Sequence, residues 1–413
     1  MLIKLRFSFL FLIYFAFSLQ GQYNGFRFVS GKSIEIPFEL HQNLIVVDLV
    51  LGNKLPVKFI FDTGAEHTIV CKKELISLLG LPYERSFKIM GADFKTVLEA
   101  HLVKRVPLNL VNNLAFAVQD LLVLDEDYYR LDESIGQPVH GIIGADLFNR
   151  YLLKIDYIAK KITLSETEVF KIPNNFSYFP IEVIKGKPYF YPRLALQPGT
   201  YFDIKLLLDT GAGVSLLLLN HSHPLLSIPQ NSLKGTLAMG LGGNIEGCIG
   251  RISELKLSSE ISFPQLITDF QDISDNVDST FALTKNGIFG EKLLQRFDVI
   301  VDYQRSGLYL KPNKYSKKAL REDKSGIRVI AQGRYFDEYY VNDVIPGSPA
   351  DAVDIRMGDR ILSINRYSMV FCTLETLSNK MSGKVGKRII LKIERNGKVS
   401  RKHFILQNLI QNN

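Results

Sequence analysis

Two segments, Asp62-Thr63-Gly64-Ala65 and Asp209-Thr210-Gly211-Ala212, hold the residue types in this chain best suited to chemistry. Each ends an apolar run (residues 57–61 and 204–208), and each leads into another (69–70 and 216–219). One Asp-Thr-Gly arises by chance in about one chain in ten of this length. A second copy with the same fourth residue and the same strand-like flanks points to a common cause. A pseudo-twofold would bring the two carboxyls face to face. At about 3 Å apart they cannot both ionise cheaply, so one stays protonated near neutral pH. The charged member can draw a proton from a bridging water, which attacks a carbonyl carbon. The neutral member hydrogen-bonds the carbonyl oxygen, and neither a metal nor a covalent intermediate is needed. Such a pair titrates as a unit, so Asp62 and Asp209 receive no separate acid and base roles.

Two aspartates so placed need two copies of the framework around them, and the chain contains them. Residues 44–51 turn at Gly52-Asn53 and return through 54–61; residues 189–196 turn at Pro198-Gly199 and return through 201–208. Met90-Gly91 matches Met239-Gly240. Gly141-Ile142-Ile143-Gly144 is followed by Leu147, Arg150, Asp156 and Tyr157, and Gly287-Ile288-Phe289-Gly290 by Leu293, Arg296, Asp302 and Tyr303. The offset is 147 residues at the first aspartates and 146 at the last. Short runs rich in Val, Ile, Phe and Tyr between turns predict two homologous β lobes. Short helices are expected over 147–151, 293–297 and 72–79. Asp156 and Asp302 read as structural, each opening the strand that closes its lobe.

After Leu310 the repeat stops. Residues 311–325 are polar, and the basic cluster Lys314, Lys317, Lys318 and Arg321 reads as solvated linker in preference to a site for an anionic surface. A third unit begins at Gly326, with Val341 to Ala350 and Met357 to Asn365 giving strand, turn, short helix, turn and strand. It closes on two strands, 388–395 and 399–406, joined at Asn396-Gly397.

At 413 residues, 46% hydrophobic and 22% charged, the chain has ample material for several cores. The formal charge of +8 is dispersed, which argues against a nucleic-acid partner. Residues 1–21 read as a secretory signal: Lys4 and Arg6 precede an apolar stretch, 7–19, that is short for a membrane span. Ala16-Phe17-Ser18 and Gly21 offer alternative cleavage sites, and an uncleaved anchor is the competing reading. The expected location is therefore periplasmic, cell-surface or secreted. Cys71, Cys248 and Cys372 are too far apart for a zinc site and too few for a disulfide framework, so buried free thiols are expected, with a Cys71–Cys248 bridge the alternative. His67 and the pair His221 and His223 read as exposed polar residues, and no metal or other cofactor is expected.

The segment from Asp62 to Val70 resembles the active-site segment of retropepsin-type aspartic proteases, and Asp209 to Leu217 resembles its second copy. Ile142-Ile143-Gly144 and Ile288-Phe289-Gly290 resemble the element of that family that crosses the psi-shaped loop bearing the aspartate. Ser348-Pro349-Ala350 and Gly358-Asp359-Arg360-Ile361 resemble the signature of bacterial PDZ domains. The combination resembles bacterial exported aspartyl proteases with a C-terminal PDZ domain. It implies a mainly β protein: a two-lobed acid-protease body (lobes 22–170 and 171–312), a linker (313–325) and a PDZ domain (326–410). Thr63 and Thr210 would hydrogen-bond across the pseudo-twofold, and Gly64 and Gly211 would bring N–H groups close to the carboxyls. Ala65, Glu66, Ala212, Gly91 and Gly240 would lie near bound substrate, although Gly213 replaces the acid in the second copy. Residues 87–99 lack the Tyr of pepsin-like flaps, while 238–244 are glycine-rich, so each lobe would contribute a flap, as in retropepsin dimers.

The expected partner is a peptide or protein substrate, and the expected state is a monomer whose two lobes replace two subunits. PDZ domains capture a peptide C-terminus as an added strand. That would place a carboxylate loop at Ser325, Gly326 and Ile327; the alternative is a PDZ unit that only packs on the body. Two rival functions remain. A peptide-binding protein that has lost turnover would not be expected to keep both acids, and a serine peptidase lacks a Gly-x-Ser-x-Gly motif.

Overall fold

The computed structural model describes residues 25–111, 114–126, 131–240, 242–273 and 284–410. The expected signal segment lies outside them, as does Leu241 in the second flap. With 48% strand and 9% helix the protein is mainly β.

The N-terminal lobe is built on a nine-stranded sheet. Leu44–Leu51 and Leu55–Phe61 form the expected hairpin, turned by Gly52 and Asn53 with φ of 60° and 61°, a left-handed geometry those two residue types tolerate. Leu55–Phe61 then runs parallel to Gly141–Ile143, with Ile143 opposite Phe61. Ile69–Val70 pairs antiparallel on the other side of that strand. The chain thus leaves the sheet after Phe61, loops through Asp62, and rejoins it beyond a strand from much later in the sequence.

The C-terminal lobe repeats this crossing. Leu206–Asp209 runs parallel to Gly287–Gly290, and Leu216–Asn220 runs antiparallel to it, both meeting Phe289. The hairpin ahead of it is split. Lys187–Phe190 pairs with Leu206–Asp209, whereas Arg193–Ala195 pairs with Phe202–Asp203 in a separate sheet. Pro192 stands at the break, where its missing N–H removes nothing from either ladder.

A six-stranded sheet joins the lobes. Its centre is Leu152–Asp156 paired antiparallel with Phe297–Asp302. Asp156 and Asp302 therefore end strands of a shared sheet, where each was expected to open a strand of its own lobe. Their carboxylates then cap turns, Asp156 accepting from the N–H groups of Ile158 and Ala159 and Asp302 from that of Arg305. One apolar core runs through both halves and includes Phe61, Phe148, Leu208, Phe289 and Val301. The lobes cannot part without exposing side chains whose burial is worth about 1.5–3 kcal/mol each.

Short helices follow both glycines, Ala145–Leu147 after Gly144 and Glu291–Leu294 after Gly290, two residues earlier than expected. The third lies at Lys73–Leu79. All three cysteines are buried, and none is joined to another in a disulfide.

The C-terminal unit has its own core. Its main strands, Ile327–Gln332, Glu338–Val344, Arg360–Ile364, Arg388–Arg395 and Lys398–Ile405, lie in that order, with Ile327–Gln332 at one edge. Helix Leu374–Met381 was not anticipated. It buries Leu374, Leu377 and Met381, a helical spacing visible in the sequence, and Thr373 caps it by accepting the Thr376 N–H at 3.1 Å. The expected linker is tied down as well: Arg296 donates to the carbonyls of Tyr315 (2.7 Å), Ser316 (2.9 Å) and Lys318.

Candidate active site

The two crossings bring Asp62 and Asp209 together. The Thr63 N–H donates to Thr210 Oγ1 at 3.0 Å, and the Thr210 N–H donates to Thr63 Oγ1 at 3.1 Å. Each hydroxyl passes its own proton across the axis, Thr63 to the Leu208 carbonyl and Thr210 to that of Phe61, both at 2.7 Å. Neither threonine is exposed. Four reciprocal buried hydrogen bonds leave the two loops little freedom to shift apart.

The carboxyls sit on this lock. Asp62 Oδ1 accepts from the N–H groups of Gly64 (2.7 Å) and Ala65 (3.1 Å), and Asp209 Oδ1 accepts from that of Gly211 (2.8 Å). Each also packs against the other loop's glycine: a methyl on Gly64 would collide with the Asp209 carboxyl, and one on Gly211 with that of Asp62. The two carboxyls are close enough for each to act on the other's ionisation. Burial and then the charge of Asp209 hold the Asp62 carboxyl well above the usual carboxylate range. Burial also raises Asp209, against the pull of Lys285. The arrangement favours one retained proton.

Four residues act on or near the pair without having been expected at the site, although Tyr157 and Tyr303 mark the repeat. Glu291 is wholly buried behind Gly290; Tyr157 Oη donates to its Oε2 at 2.9 Å, and its Oε1 has no hydrogen-bond partner among the described residues. Burial pushes this carboxyl well above its ordinary value, and Asp209 adds to the effect. Tyr303, also buried, has a hydroxyl without a partner among the described residues and feels the Asp62 charge. Lys285 lies part-buried in the segment before Gly287; burial pulls its ammonium down to about 8, with the charge of Asp209 opposing. The one signal for Glu291 was a break in the repeat, an acid where the first copy has Ala145.

Each lobe supplies a flap. Arg85–Met90 and Val97–Leu110 form one hairpin, Leu233–Gly240 and Gly243–Arg251 the other, and the tips meet. A methyl on Gly240 would lie 2.8 Å from Ala92 Cβ, and one on Gly242 would lie 3.3 Å from Gly91 Cα. Phe94, at the first tip, packs on an apolar patch of the opposite lobe formed by Val214, Leu217, Leu219, Ala212, Ala238 and Ile288. Among the residues expected near substrate, Gly91 and Gly240 thus stand at the flap tips and Ala212 at the patch. Ala65 follows the Asp62 loop. Glu66 is drawn sideways, 3.5 Å from Lys185 Nζ and 3.4 Å from His67. His221 approaches Asp272 at 3.9 Å, and His223 stacks on Phe202.

The expected carboxylate loop precedes the edge strand of the C-terminal unit, but its donors are engaged. The N–H groups of Ser325 (3.2 Å) and Gly326 (2.6 Å) donate to the Asp323 carboxylate, and that of Ile327 to Ser325 Oγ (3.1 Å). Asp323 and Ser325 thus use the loop's N–H groups internally.

Comparison with known proteins agrees with this reading in part. Residues 47–147 match the family model described as aspartyl protease, and residues 340–395 the one described as PDZ domain. The chain therefore carries an aspartyl protease domain containing Asp62 and a C-terminal PDZ domain. The second lobe lies outside both matches, so its equivalence rests on the repeat and the geometry above. No curated protein matches. Among solved structures the chain is similar to basic 7S globulin from soybean, at 9% identity and a TM-score of 0.41, over 72% of this chain and 97% of that one.

Proposed function

We propose that this chain is an aspartic endopeptidase that hydrolyses peptide bonds through Asp62 and Asp209. The observation that carries the proposal is the reciprocal threonine lock with each carboxyl seated on the opposite glycine. A substrate strand would lie between the lobes under both flap tips. One carboxyl, kept neutral by burial and by its neighbour's charge, would hydrogen-bond the scissile carbonyl oxygen. The other would take a proton from water, which adds to the carbonyl carbon; that proton then goes to the leaving amine as the carbon–nitrogen bond breaks. Every group needed for this sequence belongs to the dyad and the water. The single-chain arrangement supports a monomer, and residues 4–19 support export.

The rival reading, a peptide binder without turnover, gains little support, because both acids are intact and the N–H groups of the carboxylate loop are used internally. Cleavage profiling of a peptide library with wild type, Asp62→Asn and Asp209→Asn decides the matter. Wild type should cut and neither variant should. Full activity in either variant would overturn the dyad.

A further inference from the structure

The flap of the C-terminal lobe is irregular at a point the hydrolytic chemistry does not explain. Between Leu233–Gly240 and Gly243–Arg251 the register slips between Thr236 and Ala238, leaving Leu237 as an extra residue. A bulge of this kind leaves backbone groups without ladder partners. The PDZ unit supplies them. Asp343 accepts the Thr236 N–H at 3.3 Å, and the Arg328 guanidinium donates to the Leu237 carbonyl. Next to them Gly235 lies beside Ile345 of the PDZ unit, at a distance where a methyl would make ordinary van der Waals contact. Arg328 is part-buried among Asp269, Asp343, Asp323 and Glu246, so its fork is directed by charges from both domains.

The face of the PDZ unit that would accept an added strand, between Ile327–Gln332 and helix Leu374–Met381, lies against the N-terminal lobe. Gln332 donates to Glu133 at 3.0 Å, Ser378 to Gln42 at 3.3 Å, and a methyl on Gly136 would lie 3.2 Å from Leu374 Cβ. The unit is therefore held by one lobe while it grips the flap of the other.

We propose that the PDZ unit is a clamp on the C-terminal flap: Arg328 and Asp343, as positioning residues, pin the bulge at Thr236 and Leu237 and so set how the tip at Gly240 and Gly243 stands over the dyad. Beyond Cys248, where Gly243–Arg251 leaves its other partner Ile267–Asp272, the flap is two-stranded and marginally stable by itself, and an anchor at Thr236 and Leu237 shortens the part free to move. The effect on turnover rests on the peptidase reading; the effect on flap motion does not.

Hydrogen–deuterium exchange on the full chain tests the clamp, comparing wild type with Arg328→Ala and Asp343→Asn and using residues 85–110 as internal reference. Amides of residues 233–251 should exchange about tenfold faster in the variants, with the reference flap unchanged. On a peptide cut by wild type, KM should rise about fivefold while kcat stays within about twofold. Asp343→Asn is nearly isosteric, removes the charge and turns one of the two accepting oxygens into a donor, and it keeps the test alive if Arg328→Ala does not fold. Unchanged flap exchange in either folded variant overturns the clamp, whatever the kinetics. If wild type cuts nothing, the peptidase reading fails and exchange still decides the clamp.

Discussion

In the N-terminal lobe Gly144 is followed by Ala145; in the C-terminal lobe Gly290 is followed by Glu291, a buried acid held by Tyr157. Asp62 is followed four residues on by Glu66, Asp209 by Gly213. The N-terminal flap is braced by Phe94 on the opposite lobe and by Gln271, which donates to the Ala92 carbonyl at 3.2 Å, whereas the C-terminal flap is gripped by the PDZ unit. Between these differences lie four threonine hydrogen bonds that match across the axis to within 0.1 Å. Duplication has been kept where two carboxyls must face each other and relaxed one shell further out, where each half meets different surroundings.

The strongest way to break this symmetry is at the dyad. Asp62→Asn and Asp209→Asn should each lower kcat by about 10³-fold or more, and by similar amounts, because a coupled pair loses its shared proton whichever member changes. A large inequality in single-turnover rates would assign separate roles. Next come Thr63→Val and Thr210→Val. Each removes an acceptor from a buried N–H and a donor from a buried carbonyl, so each should cost about 2–4 kcal/mol in urea unfolding. Equal costs sharpen the twofold, and a clear difference shows that one loop carries the lock.

The flaps separate the lobes more gently. Phe94→Ala should destabilise by about 1 kcal/mol and speed exchange in residues 85–96 alone. Speeding of both flaps together would mean that the tips move as one body. Glu291→Gln probes the buried acid. Its folded pKa lies well above the ordinary 4.5, so above that pH the folded chain holds a proton that the unfolded chain releases. Stability contributed by this group therefore falls as pH rises through that window. The Gln variant should match wild type near pH 4 and melt at a progressively higher temperature than wild type as the pH rises above about 5. A constant difference would show that Glu291 is charged in the fold. Glu66→Ala, which removes a part-exposed pair with Lys185, should change stability by less than about 1 kcal/mol.

The dyad, the repeat and the turn at Gly52-Asn53 were legible because each depends on neighbours in the chain: an apolar run before an Asp, a Gly and an Asn in left-handed backbone, a fixed spacing to the next copy. The helix at Leu374–Met381 was equally legible and went unread. Its Thr cap and Leu-x-x-Leu-x-x-x-Met spacing are local signals. Glu291 was half legible, since its break with Ala145 shows in the alignment of the halves, but that it is buried depends on Tyr157 from the other lobe.

What the amino-acid order determined by itself is a pair of equivalent loops and the strands that feed them, because alternation, turn chemistry and repeat length are written in consecutive residues. Tertiary structure alone decided how the pair is enclosed. The sheet that fuses the lobes, the flap tips that meet each other, the Asp323 carboxylate beside Ser325 and Gly326 and the Arg328 grip on Leu237 each depend on contacts made in three dimensions. Such contacts leave no spacing to read. They exist because folding must find partners for buried donors, acceptors and charges from whatever the packed surfaces bring within reach.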